Sequence, residues 1–460
     1  MEKMVNAVRR WMLRLIADET LYLFFAFVFA GVLCASPFYW RQQAIELLSS
    51  YVMIPWSVAL MVLRLQRADA RALLKRDSLL LTAMFLWVTV PFFLRFGLTF
   101  NNVSSWHGHA AVFFAVYAMT REEEREMRGA MFDRLCALFA LLSTAFGALL
   151  LYCAVTGQTY GQDTGAELFG VVNGCLQSGV HYNHTGMISV CMLMMCIAGA
   201  CRRKGGVARL MHLIPAAMMT VVVVLTQSRT ARYSVLLAFA AGAYGALQAA
   251  LPVKKAVLRH GAALAVALAV LVGGYIGAGR LTDAAIAHYN GGAPDAAQDV
   301  QTEQAAAQVE LEARAASDAS FSDRTTIWKN LIELWKNDPK YFLIGNGIGR
   351  TGSRIVKGTI HEAAGAVAVH NTYLQLAADF GFVGVLLTLA FFLTVLVPAL
   401  RLFFAPAKAG YAGARALCML VIACLATGMM ESQPLGTMTP MNMMLYYALA
   451  VISAEGGQKA

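Results

Sequence analysis

The feature that most limits what this chain can become is the recurrence of apolar runs about as long as a membrane is thick. A helix of about 20 residues crosses roughly 30 Å of hydrocarbon. Inside hydrocarbon only helices and closed barrels satisfy their own backbone hydrogen bonds. Runs of this kind recur along most of the 460 residues, from "LYLFFAFVFAGVLC" (21–34) to "VGVLLTLAFFLTVLVPAL" (383–400). Only 14% of the chain is charged, against about 25% in soluble domains, and the mean hydropathy is +0.58. The expected class is an all-α polytopic membrane protein. Twelve spans are expected near 20–38, 44–63, 78–99, 104–120, 132–154, 185–201, 208–227, 232–252, 257–279, 380–404, 411–430 and 436–454, the fourth and sixth being marginal.

The net charge of +10 does not point to nucleic acid, because the basic residues gather in short loops between apolar runs. Lys3 to Arg14, Arg64 to Arg76, Arg121 to Arg134, Arg202 to Arg209, Lys254 to Arg259, Arg401 to Arg415 and Lys459 all fall on one side of the membrane if the spans alternate. Outside the long loop, the other side carries Arg41, Arg95, Arg229 and Arg232. Short basic loops face the cytoplasm, so both termini are expected there. The basic N-terminus before the run at Leu21 imitates a signal peptide. It lacks a small-residue cleavage site and reads as an uncleaved first span. Almost all of the nine cysteines lie in or beside apolar runs, with no C-x-x-C pair, so neither a disulfide framework nor a zinc site is implied.

The chain divides into spans one to nine (1–279), a long outer loop (280–371) and spans ten to twelve (372–460). Long loops tend to be functional. "VQTEQAAAQVELEARAA" (300–316) has helix-forming composition. Asp323 is a candidate cap for a following helix. Trp328, Leu331, Ile332 and Trp335 then share one face, and Asp338-Pro339 ends it. Two readings of this amphipathic helix stand, one at the membrane surface and one packed on the rest of the loop. "IGNGIGR" (344–350) is neither a dinucleotide fingerprint nor a P-loop and reads as a tight turn.

Several polar residues sit where apolar neighbours make them costly. Arg229, in "LTQSRTARY", follows the seventh span, and Arg95 lies inside "PFFLRFGLTF". An arginine so placed usually has a partner. Arg324, in the expected first turn of the loop helix, gains nothing from the helix dipole. His107, His109, His181 and His184 have no carboxylate at ligand spacing and no H-E-x-x-H. They read as polar lining of an outer-facing cavity, and no metal or cofactor is expected. In "VAVHNTYLQL" (367–376), Asn371 can cap the helix that follows, with His370 just before it. A helix from Thr372 to Phe404 would run about 50 Å, too long for a bilayer. Gly381 and Gly384 allow a bend, leaving Thr372 to Phe380 at the interface. A structural role and a catalytic one are both open for His370 on these grounds.

Taken together, "TQSR" at a span end, a long outer loop with "DRTTIW" and "IGNGIG", and then "HNTYLQLAADFGFVGVLL" resemble the bacterial O-antigen ligase family. The specific likeness runs from about 220 to 400. The resemblance implies glycosyl transfer without a metal on the outer face of the cytoplasmic membrane. Its donor would be a glycan on undecaprenyl pyrophosphate, and its acceptor a hydroxyl such as that of lipid A–core. Carried over by motif, His370 assists acceptor attack while Arg229 and Arg324 bind the donor pyrophosphate. Asn371, Ser228, Arg95 and His184 are candidates for supporting roles. Arginine suits that task because its planar fork matches phosphate oxygens and keeps its charge near lipid. Direct attack predicts inversion. A polymerase of the same superfamily shares these motifs. A twelve-span transporter is the rival of another class, but the two halves show no similarity and no midplane charge pair.

Overall fold

The computed structural model describes residues 12, 14–35, 49–66, 75–91, 94, 100–161, 168–172, 174–179, 182–251, 256–291, 319–347, 355, 357, 369–404, 413–431 and 440–456. The helices in chain order are α1 (Glu19–Ala35), α2 (Ile54–Gln66, led by a π-helical turn at Ser49–Met53), α3 (Arg76–Trp87), α4 (Phe100–Glu122) and α5 (Arg125–Thr156). After a small sheet come α6 (Tyr182–Arg202), α7 (Gly206–Leu225), α8 (Arg229–Ala250) and α9 (Ala256–Gly291). The loop region supplies α10 (Ala319–Asn337) and α11 (Pro339–Ile344), and α12 (Thr372–Phe404), α13 (Ala414–Gly428) and α14 (Pro440–Gly456) complete the chain. Each of the expected apolar runs overlaps one of these helices within the described residues. Five of them (α5, α6, α7, α9 and α12) are long and apolar enough to cross a membrane.

The bundle is built around α6, whose side chains are buried almost all round. It packs on α5, α7, α8 and α13. Small residues set these distances, since they let helix backbones approach closely. A Cβ on Gly186 of α6 would fall 2.8 Å from Ala231 and 3.1 Å from Ser228 of α8. The peripheral helix is α9, which leaves most of its apolar surface uncovered, as lipid-facing helices do. At the end of the bundle where α3 begins and α4 ends, Arg121 and Tyr117 share the buried Asp77, while Arg128 pairs with Glu455 at 2.7 Å. These pairs join α3, α4, α5 and α14.

Three features differ from expectation. A three-stranded antiparallel sheet, β1 (Thr159–Tyr160), β2 (Phe169–Val172) and β3 (Cys175–Ser178), joins α5 to α6. The two residues between β2 and β3 read Asn-Gly, a strong short-range hairpin signal that the search for apolar runs passed over. The ninth helix does not stop at 279 but continues to Gly291. The loop helix begins at Ala319, so Asp323 lies within it rather than capping it, and Arg324 belongs to its second turn. Residues 300–316 and Arg95 lie outside the described residues, as do the side chains of His107 and His109.

The long helix α12 breaks where its composition allowed. Gly381 has φ 67° and ψ −176°. The break frees the carbonyls of Ala378, Asp379 and Phe380. Each finds a donor: Asn346 N–H at 2.8 Å, Gly347 N–H at 2.9 Å and the Trp87 indole N–H at 2.8 Å. Broken backbone at membrane depth persists only when protein re-satisfies it. The glycine turn after α11 is therefore a docking piece for the helix break. A Cβ on Gly345 would stand 2.3 Å from the Asp379 carbonyl oxygen, so the approach requires glycine there.

Candidate functional site

The loop helix α10 is held by packing inside the protein. Ile327 and Leu331 are buried against Ile355, Val369 and Ala378, with Trp328 and Trp335 partly buried beside them. Ile332 is exposed, so the buried stripe is one position off the expected face. Trp328 also donates its indole N–H to the Val369 carbonyl at 2.9 Å. The loop-packing reading of this helix is thus the one realised for these residues, and it brings Arg324 toward the N-terminal end of α12.

There the side chains converge on a residue the sequence reading did not single out. Glu431, just beyond α13, is almost fully buried. Its Oε1 accepts from Arg324 Nη2 at 3.3 Å and from Asn183 Nδ2 at 3.0 Å. Its Oε2 lies 3.8 Å from His370 Nδ1, within ion-pair reach but longer than a hydrogen bond. Its backbone carbonyl accepts from Thr372 Oγ1 at 2.7 Å. One carboxylate therefore joins α6, α10 and the start of α12. Its signal in the sequence was a lone acidic residue, in "GMMESQPLG", between the last two apolar runs.

His370 has φ 54°, the left-handed region that few side chains occupy, though histidine is enriched among those that do. Asn371 is the cap of α12, its Oδ1 accepting from Tyr373 and Leu374 N–H, both at 3.0 Å. Its Nδ2 donates to the Met429 carbonyl at 2.9 Å, which ties α12 to the end of α13. With cap and anchor both engaged, Asn371 fixes the chain from which the imidazole projects.

Arg229 is the first residue of α8, and its side chain is exposed. Ser228 is buried and caps that helix, accepting from Ala231 N–H at 3.2 Å. Gln227, just before it, is the other non-glycine residue with positive φ among the described residues (54°), and its amide donates to the Gly174 carbonyl of the sheet at 2.7 Å. Residues held in sparsely populated backbone regions gather at functional sites. Both such residues here directly precede a charged or capping residue of the candidate site. The Ser234–Thr427 hydrogen bond (2.9 Å) pins α8 to α13 one turn before Glu431, and Gly186 seats α8 on α6 one turn after Asn183. Arg229 thus starts a helix locked to both carriers of the Glu431 cluster. His184 is exposed in the first turn of α6. Among the described residues no group of three or more His, Cys, Asp or Glu is placed to hold a metal ion.

A groove of about 940 Å³ opens beside this cluster. Thr372, Tyr373 and Gly428 border it near His370, and it continues past Leu376 and Phe392 to Phe403 and Tyr244. Its wall is nearly all apolar and follows α12 through the depth of the bundle. Three of the candidate residues lie at helix ends: His370 before α12, Arg229 opening α8 and Glu431 after α13. A midplane site of the transporter kind would need them in helix interiors.

Residues 214–389 match the family model described as O-antigen ligase. The curated proteins include none that matches the chain. The matched stretch holds Ser228, Arg229, Arg324, His370 and Asn371, whereas Asn183 and Glu431 lie outside it. Across residues 214–389, on the motifs and on this match together, the chain is similar to the O-antigen ligase family.

Proposed function

We propose that the protein transfers a glycan from undecaprenyl pyrophosphate to an acceptor hydroxyl, such as one on lipid A–core. The reaction would take place at the outer face of the cytoplasmic membrane, with twelve spans and both termini inside. The observation that carries this reading is the convergence of Arg324 and His370 on Glu431 (3.3 and 3.8 Å), inside a chain whose motifs and family match point to the same chemistry. The apolar groove reaching Thr372 and Tyr373 supports a donor with a long lipid tail.

In this reading the acceptor oxygen attacks the anomeric carbon as the bond to the pyrophosphate oxygen breaks, with inversion. The hydroxyl proton passes to His370, since histidine exchanges protons near neutral pH. Nδ1 faces Glu431, and in this reading Nε2 is the nitrogen that takes the acceptor proton. Glu431 then orients the ring and stabilises its protonated form, as the third member of a nucleophile–base–orienter set does. The leaving pyrophosphate gains charge, and Arg229 and Arg324 stabilise it in place of a metal.

Purified protein incubated with lipid-linked repeat units and lipid A–core tests the reaction. Transfer to lipid A–core is the expected product. Chain growth without lipid A–core would assign the polymerase reaction of the same superfamily instead. Absence of any transfer from a lipid-linked donor would contradict the proposal.

A further inference from the structure

His370 sits in a left-handed backbone conformation, and such a conformation persists only where its surroundings over-determine it. The residue just before it, Val369, has both of its backbone polar groups held. The Val369 N–H donates to Gln375 Oε1 at 2.9 Å, and the Val369 carbonyl accepts from the Trp328 indole at 2.9 Å. Val369 itself is fully buried, so neither group has water as a substitute.

Gln375 lies in the first turns of α12, its own N–H bonded to the Asn371 carbonyl at 2.8 Å. An amide side chain has one accepting end and one donating end. Only one orientation gives an oxygen to Val369 N–H. That orientation is selected by Asp379, buried one turn further on, whose Oδ2 accepts from Gln375 Nε2 at 2.9 Å. Asp379 Oδ1 is buried and has no hydrogen-bond partner among the described residues. A buried carboxylate with an unmade hydrogen bond is costly, and nothing in helix packing calls for one here. Its backbone is equally constrained, because its carbonyl receives Gly347 N–H at the break of α12.

We propose that Gln375, oriented by Asp379 and opposed by Trp328, is a positioning residue for transfer: it clamps the backbone of Val369 so that the imidazole of the following residue, His370, faces Glu431. The proposal rests on His370 serving as the base. Asp379 acts only by accepting from the amide and takes no part in proton transfer.

The test uses the full-length purified protein, with a lipid-linked glycan as donor and lipid A–core as acceptor. Donor stoichiometry and Kd are measured beside kcat. Gln375→Met removes the oxygen that holds Val369 N–H, and Asp379→Leu removes the acceptor that orients the amide. Each is expected to bind donor at wild-type stoichiometry and to lose about 10²-fold in kcat, the scale of a misplaced reacting group. Asp379→Asn keeps an oxygen facing Gln375 and is expected to stay within about threefold of wild type, since a clamp needs only an acceptor there. An unchanged kcat in Gln375→Met would overturn the clamp, as would a parallel loss of donor stoichiometry, which marks a merely structural role. Asp379→Asn falling as far as Asp379→Leu would also overturn it and would assign Asp379 a proton-handling role. Undiminished transfer in His370→Ala would remove the functional reading itself and the clamp with it.

Discussion

At the scale of single residues, the account turns on Glu431. Removing one partner from a buried ion pair leaves an uncompensated charge and costs far more than the pair was worth. Glu431 faces Arg324, Asn183 and His370 at once, so its loss is expected to be felt in chemistry as well as stability. Glu431→Gln keeps the shape and an oxygen for Asn183 but removes the charge that stabilises a protonated His370. Transfer is expected to fall about 10²-fold, with donor binding retained, as read by kcat and donor Kd on purified protein. Wild-type kcat in this variant would show that Glu431 only braces the helices. The sequence exposed His370, Arg229 and Arg324 because each was polar beside apolar runs and lay in a recognisable motif. Glu431 and Asn183 carried no such motif, and their importance arises from contacts across 248 and 61 positions of chain (183 to 431, 370 to 431), which no local pattern encodes.

At the scale of elements, the positions of the helices were legible because apolar runs of bilayer length admit little else. The break in α12 was legible from Gly381 together with a helix too long for the membrane. The partner of that break was not. "IGNGIGR" read as a tight turn; within its described part, 344–347, Asn346 and Gly347 cap the Ala378 and Asp379 carbonyls. Backbone donors have no side-chain signature, so this pairing leaves no mark in composition. The fit is reciprocal: a Cβ on Gly381 would lie 2.4 Å from Leu343 O, and one on Gly345 would lie 2.3 Å from Asp379 O. Gly345→Ala and Gly381→Ala are each expected to destabilise the protein by at least the roughly 1–2 kcal/mol that a side chain pays in a left-handed conformation. Gly261→Ala, inside α9 where added atoms meet open space, is the control and is expected to be neutral or better. A thermal melt in detergent reads the difference. Equal melting of all three variants would contradict the docking role of the turn.

At the scale of the whole molecule, the chain joins an apolar bundle to a polar cluster at its rim, with a groove of about 940 Å³ running from that rim along α12. The motif set made the likeness to the O-antigen ligase family legible. The identity of the glycan and of its acceptor was not, because ligases and polymerases share the motifs that carry the chemistry. The claim on which all else depends is that His370, aimed by Glu431 and set beside Arg324, takes the acceptor proton. The most direct test is single-turnover transfer from a lipid-linked glycan by wild-type protein and by His370→Ala, each shown to melt normally and to bind donor. The account predicts a fall of about 10²–10⁴-fold, the usual contribution of a positioned base. Transfer at the wild-type rate by a folded, donor-bound His370→Ala protein would contradict it.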